Sequence, residues 1–198
     1  MVKQVVFIHG GETWDTYEAY LKYLEESVYD PERESKKRWK HTLRERLEPM
    51  RVFTPDMPSK YNAHYAEWSL WFEKVIPYLT NDFVLIGHSL GGTFVAKYLS
   101  ENTMPVSIKA TFLVAAPSGD NLPDYTLASF ALPPSLEGLK EQGGIIHLYQ
   151  SSDDPVVPHT DVERYRSELP EAVFHPFTDR GHFLQEEFPE LLEEIRKL

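Results

Sequence analysis

The chain has 198 residues, a formal charge of −11, 41% hydrophobic and 13% aromatic residues, and no cysteine. That length suits one domain with a substantial core, and the aromatic content excludes a disordered chain. The missing cysteine removes disulfides, thiolate metal sites and cysteine nucleophiles, and the acidic balance argues against a nucleic-acid partner.

In chain order, the opening "MVKQVVFIHGG" carries a first β-type run, "QVVFIH" at 4–9. Its apolar stretch is too short for a signal peptide or a membrane span, and a cytoplasmic location is expected by default. After the loop "HGGETW", the segment "TWDTYEAYLKYLEE" places Trp14, Tyr17, Leu21 and Leu24 on one helical stripe. The basic stretch "KKRWKHTLRER" at 36–46 has Trp39, Leu43 and Leu47 at i, i+4 and i+8, which predicts an amphipathic surface helix over about 36–48 with a solvated charged face. A second strand, "RVFTP" (51–55), precedes a helix at about 63–79. The third, "FVLIG" (83–87), runs into a helix at 91–102, and the fourth is "ATFLVAA" (110–116). A long connection, 117–143, leads to "IIHLYQ" (145–150), a helix at 159–169, "AVFHPF" (172–177) and a last helix at 185–197.

Strands that alternate with helices and are apolar on both faces predict a three-layer α/β/α fold with a doubly wound, mostly parallel six-stranded sheet. Right-handed crossovers give the expected order 2-1-3-4-5-6 with the first strand central. One domain over 1–198, without a large cap, is expected. The connection 10–50 is expected to hold two helices, and 117–143 is read as a loop at a strand C-terminal end, where ligand-facing elements sit.

Gly87-His88-Ser89-Leu90-Gly91 fits G-x-S-x-G at the strand-to-helix junction that this motif requires. Small neighbours allow a sharp elbow that lifts the Ser89 hydroxyl to the head of a helix, whose N-terminal potential favours an oxyanion. A serine hydroxyl needs a base and an orienting acid. "SSDDPVVP" (151–158) follows the fifth strand and "DRGHF" (179–183) the sixth, so Asp153 or Asp154 and His182 fall at the same sheet edge as Ser89. The turn Asp154-Pro155-Val156-Val157-Pro158 favours Asp154 as the acid, with Asp153 capping the turn or facing water. Oxyanion donors are expected at the Leu90 and Gly11 N–H groups. His88 and His9 are expected to pack in the elbow and at the end of strand one, and His147 in the core. His159 follows the acid too closely to rival His182. No histidine spacing suits a metal, and no cofactor is expected.

The segments "GHSLGG", "SSDDPVVP", "FTDRGHF" and "DMPSKYNAHYAEWSLWF" together resemble the α/β hydrolases, specifically the small, cap-poor serine hydrolases of the retinoblastoma-binding protein 9 and YdeN type. The resemblance spans nearly the whole chain. It implies a serine hydrolase with Ser89 as nucleophile, Asp154 as acid, His182 as base, and Leu90 and Gly11 as oxyanion donors. The departure lies in the first loop and the charged 25–40 segment. The expected function is carboxylesterase action on a small-molecule ester of short to medium acyl chain. Trp14, Tyr125 and Phe130 are candidate pocket walls. An amidase or peptidase with the same triad, and a non-catalytic interaction protein on this scaffold, are the alternatives. No protein partner can be named from the sequence.

Overall fold

The computed structural model describes residues 2–119 and 126–198, excluding the side chains of Arg33 and Glu34. The six apolar runs form β1 (Gln4–Ile8), β2 (Arg51–Phe53), β3 (Phe83–His88), β4 (Ile108–Val114), β5 (Ile145–Ser151) and β6 (Val173–Phe177). They make one sheet in the order β2-β1-β3-β4-β5-β6, every neighbouring pair parallel. This is an α/β-hydrolase fold. Successive residues of a strand point to opposite faces. Val5 and Phe7 therefore join one apolar layer, while Val6 and Ile8 join the other. Both layers are covered, which is why β1 and β3 are buried along their whole length.

The helices are α1 (Tyr17–Glu26), α2 (Pro31–Ser35), α3 (Trp39–Arg46), α4 (Tyr65–Glu73), α5 (Leu90–Glu101), α6 (Glu137–Gln142), α7 (Val162–Glu168) and α8 (Pro189–Lys197). Trp39 and Leu43 of α3, with Leu191 and Ile195 of α8, fill the layer on the Phe7 face. Trp68 and Phe72 of α4, Phe94 of α5, Leu139 of α6 and Tyr165 of α7 fill the opposite layer. Among the described residues, no helix is long and apolar enough to cross a membrane.

The connections differ from expectation where elements are short. Segment 10–50 holds three helices, not two. The extra one, α2, has five residues, Asp30 as its N-cap and Pro31 at its first position. Caps can specify so short a helix without any apolar period. The 63–79 pattern divides into α4 and a 3-10 turn, Ile76–Tyr78, containing Pro77, which cannot supply the N–H that an α-helix would need. Within 117–143 lie a 3-10 turn at Ala128–Phe130 and α6. The α1 stripe forms but turns outward: Tyr17, Leu21 and Leu24 are 61%, 43% and 47% exposed.

Candidate active site

Because every strand runs the same way, the segments after β1, β3, β5 and β6 gather at one sheet edge, the usual ligand side of such a fold. Ser89 lies between β3 and α5 with φ 55° and ψ −131°, left-handed backbone that is sterically costly for any residue but glycine. The surrounding packing holds it there. Ser89 N–H donates to Val114 O at 2.8 Å, and Ser89 O accepts from Gly92 N–H at 2.8 Å. A Cβ on Gly91 would lie 2.4 Å from Ile8 O, so only glycine lets α5 approach β1 this closely. A Cβ on Gly10 would lie 2.9 Å from Ser89 Cβ, which puts the loop after β1 directly against the serine. The Ser89 hydroxyl caps no N–H of its own helix.

The acidic turn follows β5. The Asp154 side chain is fully buried and accepts the His182 Nδ1 proton, at 2.9 Å to Oδ2 and 3.2 Å to Oδ1. Its Oδ1 also takes the Val156 and Val157 N–H groups at 2.8 and 3.0 Å, so the turn itself locks the carboxylate. Asp153 has a different task. Its Oδ1 accepts from Ser151 Oγ and, at 2.9 Å, from Gly181 N–H, tying the histidine loop to the acid loop. These bonds, the Ser151 one foremost, hold the Asp153 carboxyl below its usual range. Asp153 is exposed, as expected of the acid that faces water, and it serves in addition as a tether.

His182 lies 8% exposed at the head of a loop that contains two left-handed residues, Gly181 (φ 50°) and Phe183 (φ 51°). Three groups invisible to sequence reasoning hold that loop. His88 Nε2–H donates to His182 O at 2.9 Å, with the two rings 5.0 Å apart. Burial, and then the neighbouring His182, push His88 well below the usual imidazole range, so it is a neutral donor. Trp39 Nε1–H donates to Phe183 O at 2.8 Å, and Trp39 N–H to Gln185 O at 3.0 Å. Thus α3, which the sequence identifies only as an amphipathic surface helix, braces the histidine loop.

On the other side, His9 accepts the Met57 N–H at Nε2 (2.8 Å) and therefore carries its proton on Nδ1, which donates to Gly10 O at 2.6 Å. Burial holds this imidazole below its ordinary value. In a trans peptide the C=O and the next N–H point oppositely. By fixing Gly10 O, His9 therefore fixes the direction of the Gly11 N–H. Neither Gly11 N–H nor Leu90 N–H donates to another group among the described residues. Gly11 is packed against Lys60 O and the Trp68 ring, where its missing side chain allows the approach.

The pocket candidates separate. Trp14 is partly exposed beside the first loop, its indole N–H donating to Tyr61 O at 3.0 Å. Tyr125 lies outside the described residues. Phe130 is 0% exposed, its ring 5.1 Å from Trp68 and 5.9 Å from Tyr65, so it belongs to the core and lines no open pocket. A groove of about 860 Å³ lies along β2, lined by Phe53, Trp71 and Tyr78 among others, and Ser89 is not part of its lining.

The fold and this edge place the molecule among the α/β hydrolases. A family model described as "Serine hydrolase" matches residues 32–198, and the chain belongs to that family. It is 26% identical over 162 residues to serine hydrolase RBBP9 of Rattus norvegicus, covering 81% of this chain and 84% of that one. Its fold matches the ydeN gene product of B. subtilis with a TM-score of 0.76, at 19% identity over 99% of this chain and 98% of the other. A meta-cleavage product hydrolase from Pseudomonas fluorescens IP01 matches with a TM-score of 0.64, at 17% identity over 98% and 89% of the two chains.

Proposed function

We propose that the protein is a carboxylesterase for small to medium acyl esters, working through a Ser89–His182–Asp154 triad and an acyl-enzyme. The observation that carries the reading is the buried Asp154–His182 pair at 2.9 Å, at the same edge as a serine held in left-handed backbone. His182 takes the Ser89 Oγ proton on Nε2 as Oγ attacks the acyl carbon. Asp154 keeps the Nδ1 proton in place and stabilises the imidazolium. The oxyanion receives the Leu90 and Gly11 N–H groups, the second aimed by His9. His182 then returns its proton to the departing alkoxide, leaving Ser89 acylated. Water, deprotonated by the same imidazole, releases the acid and restores the hydroxyl.

The Trp14 side of the first loop serves as a wall of the acyl pocket in this reading. Ser89→Ala should abolish 4-nitrophenyl butyrate turnover and fluorophosphonate labelling while leaving the circular dichroism spectrum unchanged. Loss of a nucleophile costs roughly four or more orders of magnitude in kcat. Turnover that survives the substitution refutes the mechanism, and turnover of amides faster than matched esters replaces the esterase reading with the amidase one.

A further inference from the structure

The loop that follows β4 runs back against the proposed nucleophile. Ser89 N–H donates to Val114 O at 2.8 Å, and the other side of the same peptide, the Ala115 N–H, donates to Tyr149 O at 2.9 Å. Ala115 then takes a left-handed φ of 45°, costly for a residue with a Cβ, and the chain passes over the first turn of α5. Ala116 packs there so closely that a Cβ on Gly92 would lie 2.6 Å from the Ala116 Cβ. Pro117 O accepts the Thr93 Oγ1 proton at 2.6 Å and the Tyr165 hydroxyl at 3.2 Å. Gly92 and Thr93 are also the residues whose N–H groups bond Ser89 O, at 2.8 and 3.3 Å. The loop therefore bears on both sides of Ser89: it accepts the serine N–H and presses on the two residues that hold the serine carbonyl.

A buried carboxylate holds this loop. Asp161 ends the 3-10 turn His159–Asp161, in the same connection as the proposed acid Asp154, and is 0% exposed. Its Oδ2 accepts the Ser118 and Gly119 N–H groups at 2.8 and 3.1 Å, while Oδ1 has no partner among the described residues. Two successive N–H groups that converge on one oxygen make the concavity a main-chain nest offers to an anion. Gly119, with φ 83°, takes a left-handed position open to glycine. Burying a carboxylate is costly, and removing it would strip a hydrogen bond from the Ser118 N–H, itself buried. We infer that Asp161 is a positioning residue for Ser89: it ties the acid connection to the loop after β4 and through that loop fixes the backbone of the elbow. This deepens the esterase proposal and rests on it. Being fully buried, Asp161 meets no substrate, and its effect reaches Ser89 through Pro117, Ala116 and the Val114–Ala115 peptide.

Turnover of 4-nitrophenyl butyrate per reactive serine tests the inference, with the serines counted by fluorophosphonate labelling taken to completion. Counting sites removes the contribution of misfolded protein, so a residue that serves stability alone leaves this quantity unchanged. Asp161→Ala should lower kcat per labelled site about tenfold and slow the labelling in parallel, with little change in KM. Asp161→Asn keeps an oxygen for both N–H groups and should retain most of the wild-type kcat. Should Asp161→Ala give no folded protein, Thr93→Val, which takes one donor from Pro117 O in the same loop, must lower kcat per site severalfold with KM unmoved. An unchanged kcat per labelled site in the alanine variant, or in Thr93→Val where that variant stands in for it, overturns the inference. So does an asparagine variant as impaired as the alanine one. Each of these results leaves the esterase reading standing, because the wild type still turns over the ester. A wild type that neither hydrolyses the ester nor takes the fluorophosphonate removes both.

Discussion

The histidine inside the sheet makes stability depend on pH in a way that can be calculated. His147 on β5 is 4% exposed and lies flat on Phe112, with ring centroids 4.3 Å apart and planes 2° from parallel. Its Nδ1 is 3.0 Å from His175 Nε2 on β6, and its Nε2 has no partner among the described residues. Burial, then the neighbouring His175, push it down to about 4; from α8, Lys197 acts in the same sense and Glu194 opposes. In the unfolded chain it titrates near 6.5, so at intermediate pH the unfolded state binds more protons, and stability falls as the pH drops below that value. The whole difference amounts to about 3 kcal/mol, of which about 2 kcal/mol is lost by pH 5. His147→Phe keeps the stacked ring and removes the titration. Urea unfolding at pH 7.5 and 5.0 should show the wild type losing about 2 kcal/mol more than the variant between the two conditions. Groups common to both proteins cancel in that comparison. Equal losses would show that the buried imidazole accepts a proton without penalty and would refute the reasoning.

The two acidic neighbours should separate. Asp154→Asn can still accept the Val156 and Val157 N–H groups but removes the charge facing His182, and kcat should fall by roughly 10³ to 10⁴. Asp153→Asn should cost far less, because it loosens a tether and not the imidazole; equal losses would contradict these roles. Trp39→Phe keeps the edge-on ring contacts with Phe7 and Phe188 but leaves Phe183 O without its indole donor. It should destabilise the fold by about 1 to 3 kcal/mol and lower kcat about tenfold with little change in KM. An unaltered kcat with the same loss of stability would reduce Trp39 to a packing residue.

Strand number, parallel pairing and order were readable because each run is apolar on both faces and each crossover has one allowed hand. Ser89, Asp154 and His182 stood out for a related reason: each lies just past a strand, and parallel strands deliver such positions to one edge. The supports did not stand out. His88 bonds a carbonyl 94 residues away and Trp39 one 144 residues away, and the acceptor in each case is a backbone atom whose identity no residue type encodes. His9 was legible as the end of a strand but not as the group that fixes a peptide plane. The α1 stripe shows the opposite limit. Its period specifies a helix with an apolar side, but nothing in a period says whether the rest of the chain will cover that side, and here it does not.

The position of β5 and β6 has a consequence for when activity can arise. The serine belongs to the middle of the sheet, whereas the proposed acid and base hang from the two outermost strands on one flank, joined last in sequence. A nascent or partly melted chain with β1 to β4 in place would already present a well-formed elbow, yet would have no imidazole above it. Hydrolysis thus reports that the final flank has closed, and fraying that begins there should silence the enzyme before most of its helix signal is lost.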